Sequence, residues 1–61
     1  MRRAPTAEEH EMLRTLIDKI GTDERITEWE AEFLESLLEF TYWSDRQIDV
    51  LVDIWAKVMG G

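Results

Sequence analysis

Apolar positions recur with helical period in three stretches of the chain, and each stretch opens on the same kind of start signal. Leu13, Leu16, Ile17 and Ile20 stand at i, i+3, i+4 and i+7, one face of an amphipathic helix that Met12 widens. Thr6 followed three residues later by Glu9 is a capping box, in which hydroxyl and carboxylate each satisfy a backbone N–H left open at a helix start. Gly21 offers a left-handed stop. The spacing predicts a first helix over 7–20, with Glu8, Glu9 and Glu11 in its first turns and Lys19 near its end, both favourable for the helix dipole.

Thr27 with Glu30 repeats the capping box, and Ile26 before it is placed to pack on Ala31 as a hydrophobic staple. The helix predicted over 28–40 carries two apolar stripes, Trp29-Phe33-Leu37-Phe40 and Ala31-Leu34-Leu38. Together they cover close to half the circumference at about 100° per residue, so this helix is expected to be central and to touch two neighbours. Ser44 with Gln47, and Trp43 stapled to Ile48, begin a third helix over 45–59. Its main face is Ile48, Leu51, Val52, Trp55, Val58 and Met59, while Asp45, Asp49 and Asp53 line another side. No alternating strand pattern competes, and the connections are only a few residues long. The expected fold is all-α and a single domain over 1–61: a small three-helix bundle, or a helical hairpin plus an N-terminal helix. Trp29, Phe33, Leu37, Leu51 and Trp55 are expected at the centre of its core.

Size makes that core marginal. A chain of 61 residues buries only about 60% of the surface its unfolded form exposes, and chains this small lean on staples or partners. Helices two and three show more apolar circumference than a small bundle covers, with Val50 and Ile54 well off the main apolar centre. A homodimer formed through part of Leu34, Leu38, Val50, Ile54 and Val58 is therefore expected.

Charge adds a second theme. Seven basic residues against fourteen acidic give a net charge of -7. From Ile26 to Asp45 there are Glu28, Glu30, Glu32, Glu35, Glu39 and Asp45, and no Lys or Arg. Ordinary solvent faces intersperse both signs, and like charges one turn apart cost an isolated helix about 0.2–0.5 kcal/mol per pair. Such a face serves solubility or is matched by a cation outside the chain. In the second case Glu28, Glu32, Glu35 and Glu39 imitate a line of phosphates and dock on a protein's basic, nucleic-acid-binding groove. Tyr42 and Trp43, in the connection after helix two, are residue types that anchor interfaces, and join the candidate partner-binding set.

The same charge repels a phosphate backbone. Arg2 and Arg3 are the only basic pair and stand at a terminus expected to fray, so direct nucleic-acid binding is not expected. Catalytic motifs are absent: there is no Cys, no phosphate loop and no His-Glu-x-x-His, and the single His10 reads as a surface residue. The glutamates spread along a rod, where calcium needs six to eight oxygens around one point. Neither enzyme, cofactor nor metal site is expected. No apolar run reaches the roughly 20 residues of a membrane span, and Met-Arg-Arg-Ala-Pro runs into polar residues instead of a signal-peptide core. A cytoplasmic protein without membrane contact is the expectation.

The segment Glu28-Trp-Glu-x-Glu-Phe-Leu-Glu-Ser-Leu37, a short spacer, and Ser44-Asp-x-Gln47-x-x-Val50-Leu51-x-x-Ile54-x-x-Lys57-Val58 resembles a helical-hairpin pattern of short phage and prophage proteins of unknown role. The resemblance spans residues 28–58, about half of the chain. It implies a viral origin, a place in the host cytoplasm, and the class of small acidic proteins that block a host defence or replication factor. Two functions follow as expectations: a non-enzymatic protein-binding inhibitor, or a structural homo-oligomerisation module whose acid serves only solubility.

Overall fold

Each of the three capping boxes starts a helix in the computed structural model, which describes residues 1–60. The Thr6, Thr27 and Ser44 hydroxyls accept from the backbone N–H of Glu9, Glu30 and Gln47 at 3.2, 3.2 and 3.1 Å. The Glu9, Glu30 and Gln47 side chains accept in return from the N–H of Thr6, Thr27 and Ser44 at 2.9, 2.9 and 2.8 Å. The helices are α1 (Ala7–Lys19), α2 (Glu28–Leu37) and α3 (Asp45–Met59). Gly21, at φ +87°, takes the left-handed conformation that closes α1, a backbone position where any Cβ is strained.

A two-stranded antiparallel ladder joins the helices: β1 (Arg2–Arg3) pairs with β2 (Trp43–Ser44), Arg2 opposite Ser44 and Arg3 opposite Trp43. The all-α expectation therefore holds for the helices and misses this ladder. A two-residue strand is too short to show a period in sequence. The N-terminal arm is tied down and not frayed, because the Arg3 guanidinium grips Glu9 with two bonds of 2.8 and 2.6 Å. The same carboxylate closes the α1 capping box.

α2 ends three residues before its expected limit. From Leu37 on, the chain tightens into i→i−3 bonds: Leu38 N–H to Glu35 O at 3.2 Å, Glu39 N–H to Ser36 O at 3.0 Å and Phe40 N–H to Leu37 O at 3.3 Å. Phe40, Thr41 and Tyr42 are weak helix formers, and the Leu37 carbonyl also takes the indole N–H of Trp43 at 3.1 Å. The chain then reverses into α3. Lys57, near the end of α3, donates to Glu30 at the start of α2, so the two helices run antiparallel.

The core is Leu13 and Leu16 from α1, Leu34 and Leu37 from α2, Trp43 from the connection, and Ile48, Leu51, Ile54 and Val58 from α3. Leu37 and Leu51 lie at the centre as expected, while Phe33 and Trp55 pack against the rim. Trp29 is a correction: it is 62% exposed. At 100° per residue it sits about 110° around α2 from the Leu34–Leu37 side, and two equally apolar stripes do not reveal in sequence which one meets a neighbour. Leu34, Ile54 and Val58 are corrections of the opposite kind, since they are buried inside one chain instead of lying free for self-association. α3 packs on α1, and Ile54 and Val58 lie in the core cluster that the helices share. The Cα radius of gyration, 10.8 Å, is close to the roughly 10 Å of a compact chain this long.

Charge pairing holds two seams. The Arg3 hydrogen bonds keep the Glu9 carboxyl below its usual range, against the opposing effect of desolvation. For Glu30, desolvation pushes upward but the Lys57 and Thr27 hydrogen bonds outweigh it and leave the group lowered. A carboxyl lowered in the folded state stabilises above its ordinary value of about 4.3, and that stabilisation disappears as pH falls through the lowered folded value.

Trp43→Ala should be largely unfolded, because losing a buried aromatic costs about 3–5 kcal/mol, comparable with the whole stability of a domain this size. Trp29→Ala should melt within about 1 kcal/mol of wild type. Urea denaturation of both variants checks the pair, and equal losses would invert the assignment of core and surface. In a pH series of the same measurement, the gap between wild type and Arg3→Ala should be full near neutrality and close as Glu9 is protonated. A gap that widens toward acid would contradict the sign derived for Glu9.

Candidate partner-binding surface

Helical phase separates the two sides of α2. Leu34 and Leu37 mark the inward side, and Glu28, Glu32 and Glu35 cluster opposite them, with Glu39 continuing the line just past the helix end. All four are exposed. At about 1.5 Å per residue the line runs for about 16 Å. The described side-chain ion pairs join Arg3 to Glu9, Arg25 to Asp23 and Lys57 to Glu30, so among the described residues no cation is paired with any member of the line.

An aromatic edge borders the acid. Trp29 and Phe33 fall within about 40° of one another on the α2 wheel, next to the glutamates, and Phe40 follows beyond the helix end. Trp29 stacks on Phe33 with ring centroids 5.6 Å apart and planes 11° from parallel. Phe40 is 42% exposed and carries the Arg2 guanidinium over its ring at 5.9 Å. Tyr42 is exposed as well.

Trp43 does not belong to this surface, which corrects its placement among the partner-binding residues. It is fully buried, its N–H is satisfied by Leu37 O, and its ring lies 5.3 Å from that of His10. The signal was present in sequence, for a residue just before an N-cap is the staple position and points back onto its own helix. Trp29 was the residue missed. Once Leu34 and Leu37 mark the inward side, its phase puts it nearer the glutamates than the core.

Of the self-association set, Leu38 is exposed, Val50 is half-buried against the core, and the other three lie inside it. Leu38 borders a shallow groove of about 320 Å³ whose other walls are Arg14, Ile17 and Asp18 of α1. Two serine hydroxyls are occupied structurally: Ser36 Oγ donates to Phe33 O at 2.6 Å, and Ser44 Oγ caps α3. Among the described residues no group of three or more His, Cys, Asp or Glu side chains gathers around one point, and no helix is long and apolar enough to cross a membrane. The arrangement is suited to holding cations along a line beside open aromatic rings. In comparisons with known proteins, no family model, no curated protein and no solved structure matches the chain.

Proposed function

We propose that the protein is a non-enzymatic binding module whose line of Glu28, Glu32, Glu35 and Glu39 occupies a basic, nucleic-acid-binding surface of a larger protein. The observation that carries this reading is the line itself: exposed, opposite the core, and without an ion-pair partner among the described residues, while Glu9, Asp23 and Glu30 each have one. Its three like-charge neighbours, 28–32, 32–35 and 35–39, cost about 1 kcal/mol together. That is a noticeable part of the roughly 3–9 kcal/mol a chain this size has. A cationic groove relieves the repulsion on binding, and complementary charge speeds encounter. With the phage-like hairpin pattern, the reading extends to an inhibitor that competes with nucleic acid in a host cytoplasm.

A homo-oligomerisation module is the second reading, favoured by the exposure of Leu38, Val52 and Met59. Salt separates the two, since screening weakens an electrostatic complex and leaves an apolar dimer little changed.

Changing Glu28, Glu32, Glu35 and Glu39 together to Gln should leave helicity nearly unchanged, because Gln and Glu have similar propensity. Against a partner captured from bacterial lysate, its association rate should fall by about tenfold or more and lose most of its salt sensitivity. Wild type should also displace nucleic acid from that partner, and the four-Gln variant should not. Unchanged kinetics would assign the line to solubility.

A further inference from the structure

Aromatic rings stand at both ends of the acidic line. At one end Phe40 follows Glu39, and the ring is covered by the guanidinium of Arg2 at 5.9 Å. At the other, Trp29 and Phe33 form a near-parallel stack, and Trp29 is 62% exposed. Glu28 precedes Trp29, and Glu32 lies at i+3 from it, where helix side chains are neighbours. Among the described residues, Arg2 on Phe40 is the one cation found over an aromatic ring.

We propose that the Trp29–Phe33 stack, flanked by Glu28 and Glu32, is a receiving site for an arginine side chain of the partner, so that the occupant is an arginine-bearing cationic segment of another protein. The inference rests on the reading of α2 as the partner-binding face and narrows the partner's chemistry. Charge alone does not separate arginine from lysine. A planar, weakly hydrated guanidinium stacks on an aromatic face, whereas a compact, strongly hydrated ammonium holds its water. A purely apolar occupant fits poorly, because covering Trp29 would also desolvate the neighbouring carboxylates with nothing to compensate them. Charge complementarity therefore selects a cation, and the ring selects its type. Arg2 on Phe40 is the same contact made within the chain.

The test compares octa-arginine and octa-lysine peptides, equal in charge, by calorimetric titration at low and at physiological salt. Arginine binds carboxylates well without any ring, so the informative quantity is the ratio of the two affinities in wild type and in Trp29→Leu. Wild type should favour octa-arginine, and Trp29→Leu should reduce the ratio about three- to fivefold while leaving octa-lysine binding unchanged. Because Trp29 lies outside the core, the variant should keep the wild-type melt, and circular dichroism verifies that. Arg2→Ala, which frees the Phe40 ring, should raise the ratio. A ratio unaffected by Trp29→Leu, with salt-sensitive binding of both peptides intact, overturns the arginine site and leaves the acidic line standing. No salt-sensitive binding of either peptide overturns both. Peptide-free association of wild type that Trp29→Leu abolishes would make a second copy the occupant and overturn the proposal.

Discussion

The indole N–H of Trp43 reaches the carbonyl oxygen of Leu37 across 3.1 Å, and the elements of the fold gather around this residue. α2 ends at the carbonyl it caps. β1 pairs with the backbone of Trp43 through Arg3, α1 lays the His10 ring against it, and Ser44, the next residue, caps α3. A chain this short has few large side chains to fill its centre, and leucine and isoleucine supply most of the remaining core. Placing the one fully buried tryptophan in a connection lets three helices of modest length converge on a common point. The hydrogen bond is what makes the burial tolerable, because an unpartnered indole N–H there would cost about 1–3 kcal/mol.

Much of this architecture is legible in the residues. Thr6-Glu9, Thr27-Glu30 and Ser44-Gln47 define three helix starts to the residue, since a capping box is a local hydrogen-bond exchange that needs no tertiary information. What stays hidden depends on relations between elements. Period shows that Trp29 and Leu34 lie on different stripes of α2, but which stripe faces a neighbour is decided by where α1 and α3 pass. Val50 and Ile54 look peripheral on α3 alone, and become core or near-core in the folded chain, where α3 packs on α1. Arg2 and Arg3 read as a loose basic terminus because the groups that hold them, Glu9, Phe40 and the backbone of Trp43, are brought near only by the folded chain.

The candidate surface divides in the same way. The glutamate line is legible because it depends on one helix and its phase, and its exposure follows from the side that Leu34 and Leu37 bury. The aromatic edge beside it is a tertiary result: Phe33 is held against the core, and Trp29 stacks outward on it. Helical phase sets acid and aromatic rings side by side, and the packing of the folded chain leaves Trp29 open. With pairs such as Lys57 with Glu30 keeping several of the chain's cations on other seams, the face keeps its negative field.

The pairing of Arg3 with Trp43 also bears on the order in which the molecule assembles. Capped helices form from neighbouring residues. The ladder joins segments separated by most of the chain, so its loop-closure entropy must be met before its two residue pairs contribute anything. Its natural place is at the end of folding, once α1 and α2 have already brought the arm near the connection. The backbone of Trp43 then gains its strand partner in that step. Its surroundings mark the completed molecule, and not the appearance of helix.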